Sequence, residues 1–215
     1  MVRVKICCIS SAREAQLAMQ YGAAALGLVG PMPSGPGIIS NDLIKAIAVK
    51  VPPGISTFLL TSETSTPAIA EHYSKVFTTT IQLVDSVPVA AYSAIRQLFP
   101  AVKLVQVIHV TGPQSVDEAL GMAAVADALL LDSGNPNLPV KELGGTGRTH
   151  NWAFSRAIVN QSPVPVYLAG GLHAGNVAAA LDAVNPFGLD LCSGVRTSGQ
   201  LDESKLAAFF KAVYG

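Results

Sequence analysis

Short runs of β-branched and leucine-rich residues recur along the whole chain, separated by segments whose apolar positions fall at helical spacing. Eight of these runs read as strands: Val2–Cys7, Ala25–Val29, Ile55–Leu60, Thr79–Leu83, Lys103–His109, Ala128–Asp132, Val166–Ala169 and Leu189–Cys192. Several are almost wholly apolar, the pattern of parallel strands covered on both faces.

The helices between them announce themselves by their caps. Ser11-Ala12-Arg13-Glu14 and Ser115-Val116-Asp117-Glu118 both read as capping boxes, in which the serine accepts from a backbone amide and the glutamate reaches back. Gly22 is placed to end the first helix after Tyr21. Thr66-Pro67 and Val87-Pro88 put proline near a first helical position, where its missing N–H is harmless. Leu43, Ile44, Ile47 and Ala48 share one face of another helix, and three more are expected near Trp152–Val159, Asn176–Leu181 and Glu203–Val213. Alternating βα units imply a parallel sheet. Eight of them in 215 residues favour an α/β fold of the closed (β/α)8 TIM-barrel type over a doubly wound sheet. No composition shift or linker marks a second unit, so residues 1–215 are expected to form one barrel domain.

Composition narrows the partners. Half the chain is hydrophobic and 13% is charged, with 14 basic and 14 acidic residues cancelling to a net charge of zero. That balance leaves no polybasic surface for nucleic acid and no acidic tail, so a small anion would have to be held locally. Gly or Pro interrupts every apolar run well short of a membrane span, and Met1–Lys5 carries no long apolar stretch of a signal peptide. Cys7, Cys8 and Cys192 lack metal-ligand spacing and read as reduced thiols. The expectation is a cytoplasmic protein acting on a small molecule, without nucleic-acid or membrane partners. Its oligomeric state is not legible, the apolar Leu206–Phe210 stretch suiting the last helix of the barrel.

In a (β/α)8 barrel the chemistry gathers where strands end and βα loops begin. Those positions hold Cys7, Gln82, Asp85, His109 and Asp132, followed by glycine-rich loops: Gly144-Gly145-Thr146-Gly147, Ala169-Gly170-Gly171 and Ser193-Gly194. Glycine lets backbone amides approach an oxyanion closely, and the loops after strands seven and eight commonly hold phosphate in this architecture. Gly145, Gly147, Gly170, Gly171, Ser193 and Gly194 are therefore the candidate phosphate and substrate contacts. Asp132 closes an apolar strand, where partial desolvation would make it a general acid; a loop-capping aspartate bonded to the amides of Ser133 or Gly134 would look the same. Cys7 is a candidate base or nucleophile, or else a small buried hydrophobe, the reading given to Cys8 and Cys192. His109 could carry a proton or simply pack, and His72, His150 and His173 receive no role. Lys5 shares a strand face with Cys7, and an ion pair with Asp190 is its expected fate.

Together these segments resemble the phosphoribosylanthranilate isomerase family. Lys5-Ile6-Cys7-Cys8-Ile9-Ser10 is similar to the family's opening Lys-Ile-Cys-Gly-Ile-Thr, and Gly22-Ala23-Ala24-Ala25-Leu26-Gly27 to its Gly-Ala-Asp-Ala-Leu-Gly. Leu130-Leu131-Asp132-Ser133, Leu143-Gly144-Gly145-Thr146-Gly147, Trp152, Leu168-Ala169-Gly170-Gly171-Leu172 with Asn176-Val177, and Asp190 with Ser193-Gly194-Val195 follow in order. The resemblance implies an Amadori rearrangement of an N-linked aminoaldose phosphate to a 1-deoxyketose, in tryptophan biosynthesis. Asp132 would open the furanose ring as catalytic acid and Cys7 would take the C2 proton as catalytic base, with no metal and no cofactor. Two other readings stand beside it: an isomerase of a different phosphorylated aminosugar, and a non-catalytic phosphometabolite-binding barrel.

Three departures fall on the aromatic half of the implied site. The family's Ser-Pro-Arg after strand two, whose arginine helps hold the anthranilate carboxylate, is replaced by the cation-free Pro33-Ser34-Gly35-Pro36-Gly37-Ile38. Its Gln-Leu-His-Gly after strand four becomes Gln82-Leu83-Val84-Asp85, where an aspartate facing the site would repel anthranilate. Its glycine beside the base is Cys8. Arg148 or Arg196 is the expected replacement cation.

Overall fold

A computed structural model describes residues 1–33, 35–134 and 147–215. Eight strands pair in sequence order, all parallel, and β1 closes onto β8 to complete a barrel. They are β1 (Arg3–Ile6), β2 (Ala25–Val29), β3 (Ser56–Thr61), β4 (Thr80–Leu83), β5 (Lys103–His109), β6 (Ala128–Asp132), β7 (Val166–Leu168) and β8 (Gly188–Leu191). Each expected strand is present within about a residue of its reading. The helices α1 (Ala12–Gln20), α2 (Asn41–Ala48), α3 (Thr66–Ser74), α4 (Val89–Leu98), α5 (Gln114–Ala123), α6 (Trp152–Gln161), α7 (Val177–Val184) and α8 (Glu203–Tyr214) alternate with them.

Strand alternation builds two cores. One set of side chains, including Ile6, Leu26, Leu28, Leu59, Ile81, Leu104, Ile108, Leu129, Leu131 and Leu189, meets the helices outside the barrel. The other, including Ala25, Val29, Phe58, Leu60, Val105, Val107, Leu130 and Ala169, fills the interior. Both faces being covered is why the strands read as unbroken apolar runs. From the helix side, Phe209 of α8 is wholly buried, a placement worth about 1.5–3 kcal/mol for such a ring.

Caps fix most helix starts as read. Ser11 accepts from the amide of Glu14 at 3.1 Å, while the Glu14 carboxylate reaches back to the amide of Ser10 at 2.9 Å. Ser65 caps α3 ahead of Pro67. The Ser115 box does not form. Helix α5 starts two residues earlier than that box requires, behind Pro113, and the Ser115 hydroxyl is occupied on the strand side. It accepts from the amide of Thr111 at 3.1 Å and donates to the carbonyl of His109 at 3.3 Å, tying the β5 end to the first turn of α5. After β8 the chain makes a short 3-10 turn (Ser193–Val195) and a two-stranded hairpin, β9 (Arg196–Thr197) with β10 (Gln200–Leu201), before α8. No helix among the described residues is long and apolar enough to cross a membrane.

Candidate active site

A cavity opens at the C-terminal mouth of the barrel. Val29, Met32, Leu60, Val84, Val107 and Leu172 form its apolar walls; Gln82, Asp132 and Asp190 bring polar groups to it. Gly147, Gly170, Gly171 and Ser193 lie along one side, and Cys7, Cys8 and Cys192 form a thiol corner. Six of the eight sequence candidates therefore border one space. Gly194 lies just behind it, where a Cβ would collide with the Leu172 carbonyl, so its absence of a side chain lets the β8 turn seat against the β7 loop. Gly145 lies outside the described residues.

Asp132 ends β6 with 8% of its surface exposed. Its carboxylate accepts from the amide of Ser133 at 2.7 Å, so the capping role weighed for it is filled. Burial nevertheless pushes the carboxyl above its ordinary range, and the Ser133 amide and nearby His109 offset that only in part. The two readings of Asp132 are compatible: one oxygen is anchored, and burial still disfavours the ionised form. His109, its neighbour across the β5–β6 ladder, points Nε2 at the carbonyl of Val84 at 3.1 Å.

Cys7 lies one residue past β1, and its amide still donates to the Leu191 carbonyl at 2.7 Å. The strand stops there because Cys8 takes a left-handed conformation, with φ of 62°, a geometry costing about 1 kcal/mol for a residue with a side chain. Room for Cys7 comes from β2: a Cβ on Gly27 would sit 2.7 Å from the Cys7 sulfur and 3.0 Å from the Lys5 ammonium. Cys8 and Cys192 pack beside Cys7, Cys8 buried and Cys192 partly so. Hydrogen bonds to Cys192 and Cys7, with burial, hold the Cys8 thiol well above its usual range. The hydrogen bond from Cys8, with Arg196 nearby, lowers Cys192 against the opposing effect of burial.

The charges resolve differently from one another. Lys5 pairs with Asp190 at 2.8 Å as expected; burial disfavours its charge, yet Asp190 and the neighbouring thiols outweigh that and leave the ammonium raised. Asp85 does not border the cavity, and its carboxylate accepts from the amide of Ser86 at 2.8 Å, so the repulsion expected of it does not arise at the wall. Arg196 is no replacement for the missing loop arginine. Its guanidinium is buried and paired with Glu14 at 2.9 Å, facing the backbone behind the thiols. Arg148 borders a separate cleft beside Ser133, His150 and Phe154. Among the described residues no group of three His, Cys, Asp or Glu side chains is arranged to hold a metal ion.

Sequence reasoning gives Gln82 a position at the rim and no role. The residue is 3% exposed, borders the cavity and keeps a buried Oε1 without a partner among the described residues. The signal for it is a polar residue inside an otherwise apolar strand, which is costly unless something bonds it.

A closed parallel barrel with a buried acid and a thiol corner at its C-terminal mouth defines the class, a (β/α)8-barrel enzyme. The family model described as N-(5′-phosphoribosyl)anthranilate (PRA) isomerase matches residues 4–212. The chain is 38% identical to N-(5′-phosphoribosyl)anthranilate isomerase of Halobacterium salinarum, over 97% of this chain and 94% of that one. It is 35% identical to N-(5′-phosphoribosyl)anthranilate isomerase 2 of Methanosarcina mazei, over 97% and 92%. Among solved structures, the phosphoribosyl anthranilate isomerase of Thermotoga maritima superposes with a TM-score of 0.84 at 28% identity, covering 99% of this chain and 98% of that one. A phosphoribosyl anthranilate isomerase in complex with reduced 1-(o-carboxyphenylamino)-1-deoxyribulose 5-phosphate gives 0.82 at 26% identity, with the same coverage. The chain belongs to the N-(5′-phosphoribosyl)anthranilate isomerase family, and it is an isomerase.

Proposed function

We propose that the chain, as one barrel domain spanning residues 1–215 and acting in the cytoplasm, performs the reaction its family is named for in tryptophan biosynthesis, with Asp132 as acid and Cys7 as base. The observation that carries this reading is that a buried carboxyl whose pKa burial raises and a thiol from strands on different sides of the barrel open onto one cavity.

Asp132 gives its proton to the furanose ring oxygen, the C1–O bond breaks, and the nitrogen lone pair forms an iminium. The iminium acidifies the C2 proton, which the Cys7 thiolate removes to leave an enolamine. Tautomerisation then yields the ketone. A base as soft as a thiolate suffices once the iminium has formed, and an acid with a raised pKa is the appropriate partner. Gly147, Gly170, Gly171, Ser193 and Gly194 line or shape the side of the cavity that would hold phosphate; Gly145, outside the described residues, is a further candidate contact. Anchoring there leaves the phosphate's binding free energy available to orient the reacting carbons. The ligand of the complexed relative, which carries both a sugar phosphate and a carboxyphenyl group, supports the same division of this cavity.

The test is turnover of freshly generated phosphoribosylanthranilate, followed by loss of substrate fluorescence, in wild type, Cys7→Ser and Asp132→Asn. Turnover in wild type that is abolished in both variants is the expected result. A folded wild type without turnover would overturn the substrate, and full activity in either variant would overturn that residue's role.

A further inference from the structure

We propose that Arg196, locked by Glu14, is a positioning residue that holds the Cys7–Cys8 turn in its left-handed form and so keeps the Cys7 thiol aimed into the cavity. The proposal rests on the assignment of Cys7 as the base.

The guanidinium reaches the backbone on both sides of the Cys7–Cys8 step. One terminal nitrogen donates to the carbonyl of Cys8 at 2.5 Å, to that of Cys7 at 3.3 Å and to Glu14 at 2.9 Å. The other donates to Glu14 at 3.0 Å and to the carbonyl of Gly199 at 2.9 Å. Glu14 is itself immobilised, since its two oxygens also accept from the amides of Leu201 at 2.8 Å and Ser10 at 2.9 Å. The β1 turn and the start of α1 thus meet the β9–β10 hairpin, remote in sequence, on one buried ion pair. The pair is nearly dry, at 7% and 11% side-chain exposure, where a charge left alone is costly and an intact bidentate contact is geometrically strict.

What the clamp opposes is visible in the backbone. Cys8 has a side chain and φ of 62°, a conformation that glycine adopts freely and other residues only when their surroundings hold them. Rotation of either peptide flanking Cys8 would withdraw a carbonyl from Arg196 and carry the Cys7 side chain with it. Arg196 itself does not border the cavity, so its effect on the reaction passes through the turn. A five-donor planar group is suited to this task in a way that lysine, a single point charge, is not.

The experiment compares Arg196→Gln, Arg196→Lys and Glu14→Gln, each in the wild-type and in the Cys8→Gly background. Two readouts are used: kcat and KM on phosphoribosylanthranilate, and the rate of Cys7 alkylation by iodoacetamide, followed by peptide mass. In Arg196→Gln we expect kcat to fall by at least about tenfold with KM moving less than about threefold, and Cys7 to be alkylated severalfold faster as the turn opens. Arg196→Lys recovers part of the rate, and it is the primary variant if the glutamine form does not fold. The Cys8→Gly background shrinks both effects, because glycine takes the left-handed conformation without strain and leaves the clamp less to oppose. A folded Arg196→Gln with unchanged kcat would overturn the proposal, as would losses equal in the two backgrounds. Wild type that lacks isomerase activity yet shows the alkylation pattern would remove the proposed reaction and leave the clamp standing.

Discussion

The Lys5 ammonium and the Asp190 carboxylate meet at 2.8 Å across the seam where β1 closes on β8, two residues before Cys7 and Cys192, which follow those strands. Lys5 has no exposed surface, and its ammonium lies 5.2 Å from the centre of the Phe58 ring. The closing strands thus carry a charge pair where the other interior positions are largely apolar. Lys5→Met should destabilise the fold by about 3–5 kcal/mol, because Asp190 is left charged and unpaired. Lys5→Met combined with Asp190→Leu should recover much of that loss, as read from urea unfolding midpoints. Two additive losses would show that the pair is not coupled.

Ser133→Ala tests the acid assignment through its sign. Burial raises the Asp132 carboxyl, and the Ser133 hydroxyl, 3.5 Å from Oδ1, is one of the groups opposing the rise. Removing it should raise the folded pKa further. A catalytic acid is active while protonated, so the rate is lost as pH climbs through that pKa. The alkaline limb of kcat/KM should therefore move to higher pH in Ser133→Ala. A limb that stays put or moves down would separate Asp132 from the proton-donating step.

His150 should govern part of the acid sensitivity. Burial lowers it from 6.5 to about 4, and its Nε2 lies 2.6 Å from the Ser155 hydroxyl while Nδ1 has no partner among the described residues. Between those two values the unfolded chain binds a proton that the folded chain refuses, so stability falls as pH drops through this window. Thermal midpoints recorded from about pH 7 to about pH 5 should decline less steeply for His150→Gln than for wild type. Parallel curves would assign the decline to other groups.

Gly171→Ala should injure binding more than chemistry. Its φ is +61°, and an added Cβ would lie 2.7 Å from the Arg148 carbonyl carbon and 2.9 Å from the Gly147 oxygen. The loop carrying Gly147 must then retreat from the side of the cavity proposed for phosphate. KM should rise about tenfold with kcat changing less, and inhibition by inorganic phosphate should weaken in parallel. A fall in kcat alone would place Gly171 elsewhere in the mechanism.

Much of this molecule is legible in its sequence because a parallel barrel leaves a plain trace. Strands shielded on both faces become unbroken apolar runs, and a polar residue closing such a run, as Asp132 closes Ala128–Leu131, marks the catalytic end. The Lys5–Asp190 pair is foreseeable for the same reason, since an interior lysine must find a carboxylate. Ser115 shows where local pattern fails. Serine followed three residues on by glutamate is a capping signal only if the hydroxyl is unclaimed, and here the end of β5 claims it. Arg196 reads wrongly as a substrate cation because nothing local links it to Glu14, 182 residues away. The three thiols likewise look unrelated until barrel closure sets Cys192 beside the β1 turn. These relationships belong to the topology, and a linear reading sees only their ends.

The cation-free loop after β2 sits against the β1 turn so closely that a Cβ on Gly37 would lie 2.5 Å from the Cys8 Cβ and 2.9 Å from its Cα, at a φ of +74°. Position 37 is therefore sealed against every side chain, an arginine included. Replacing Cys8 with glycine relieves the first contact and leaves the second, so neither change alone, nor both together, reopens the route without moving a backbone. A carboxylate-binding cation at this position would therefore have to be preceded by a separation of the two turns, so the order in which such changes could be made is set by the backbone.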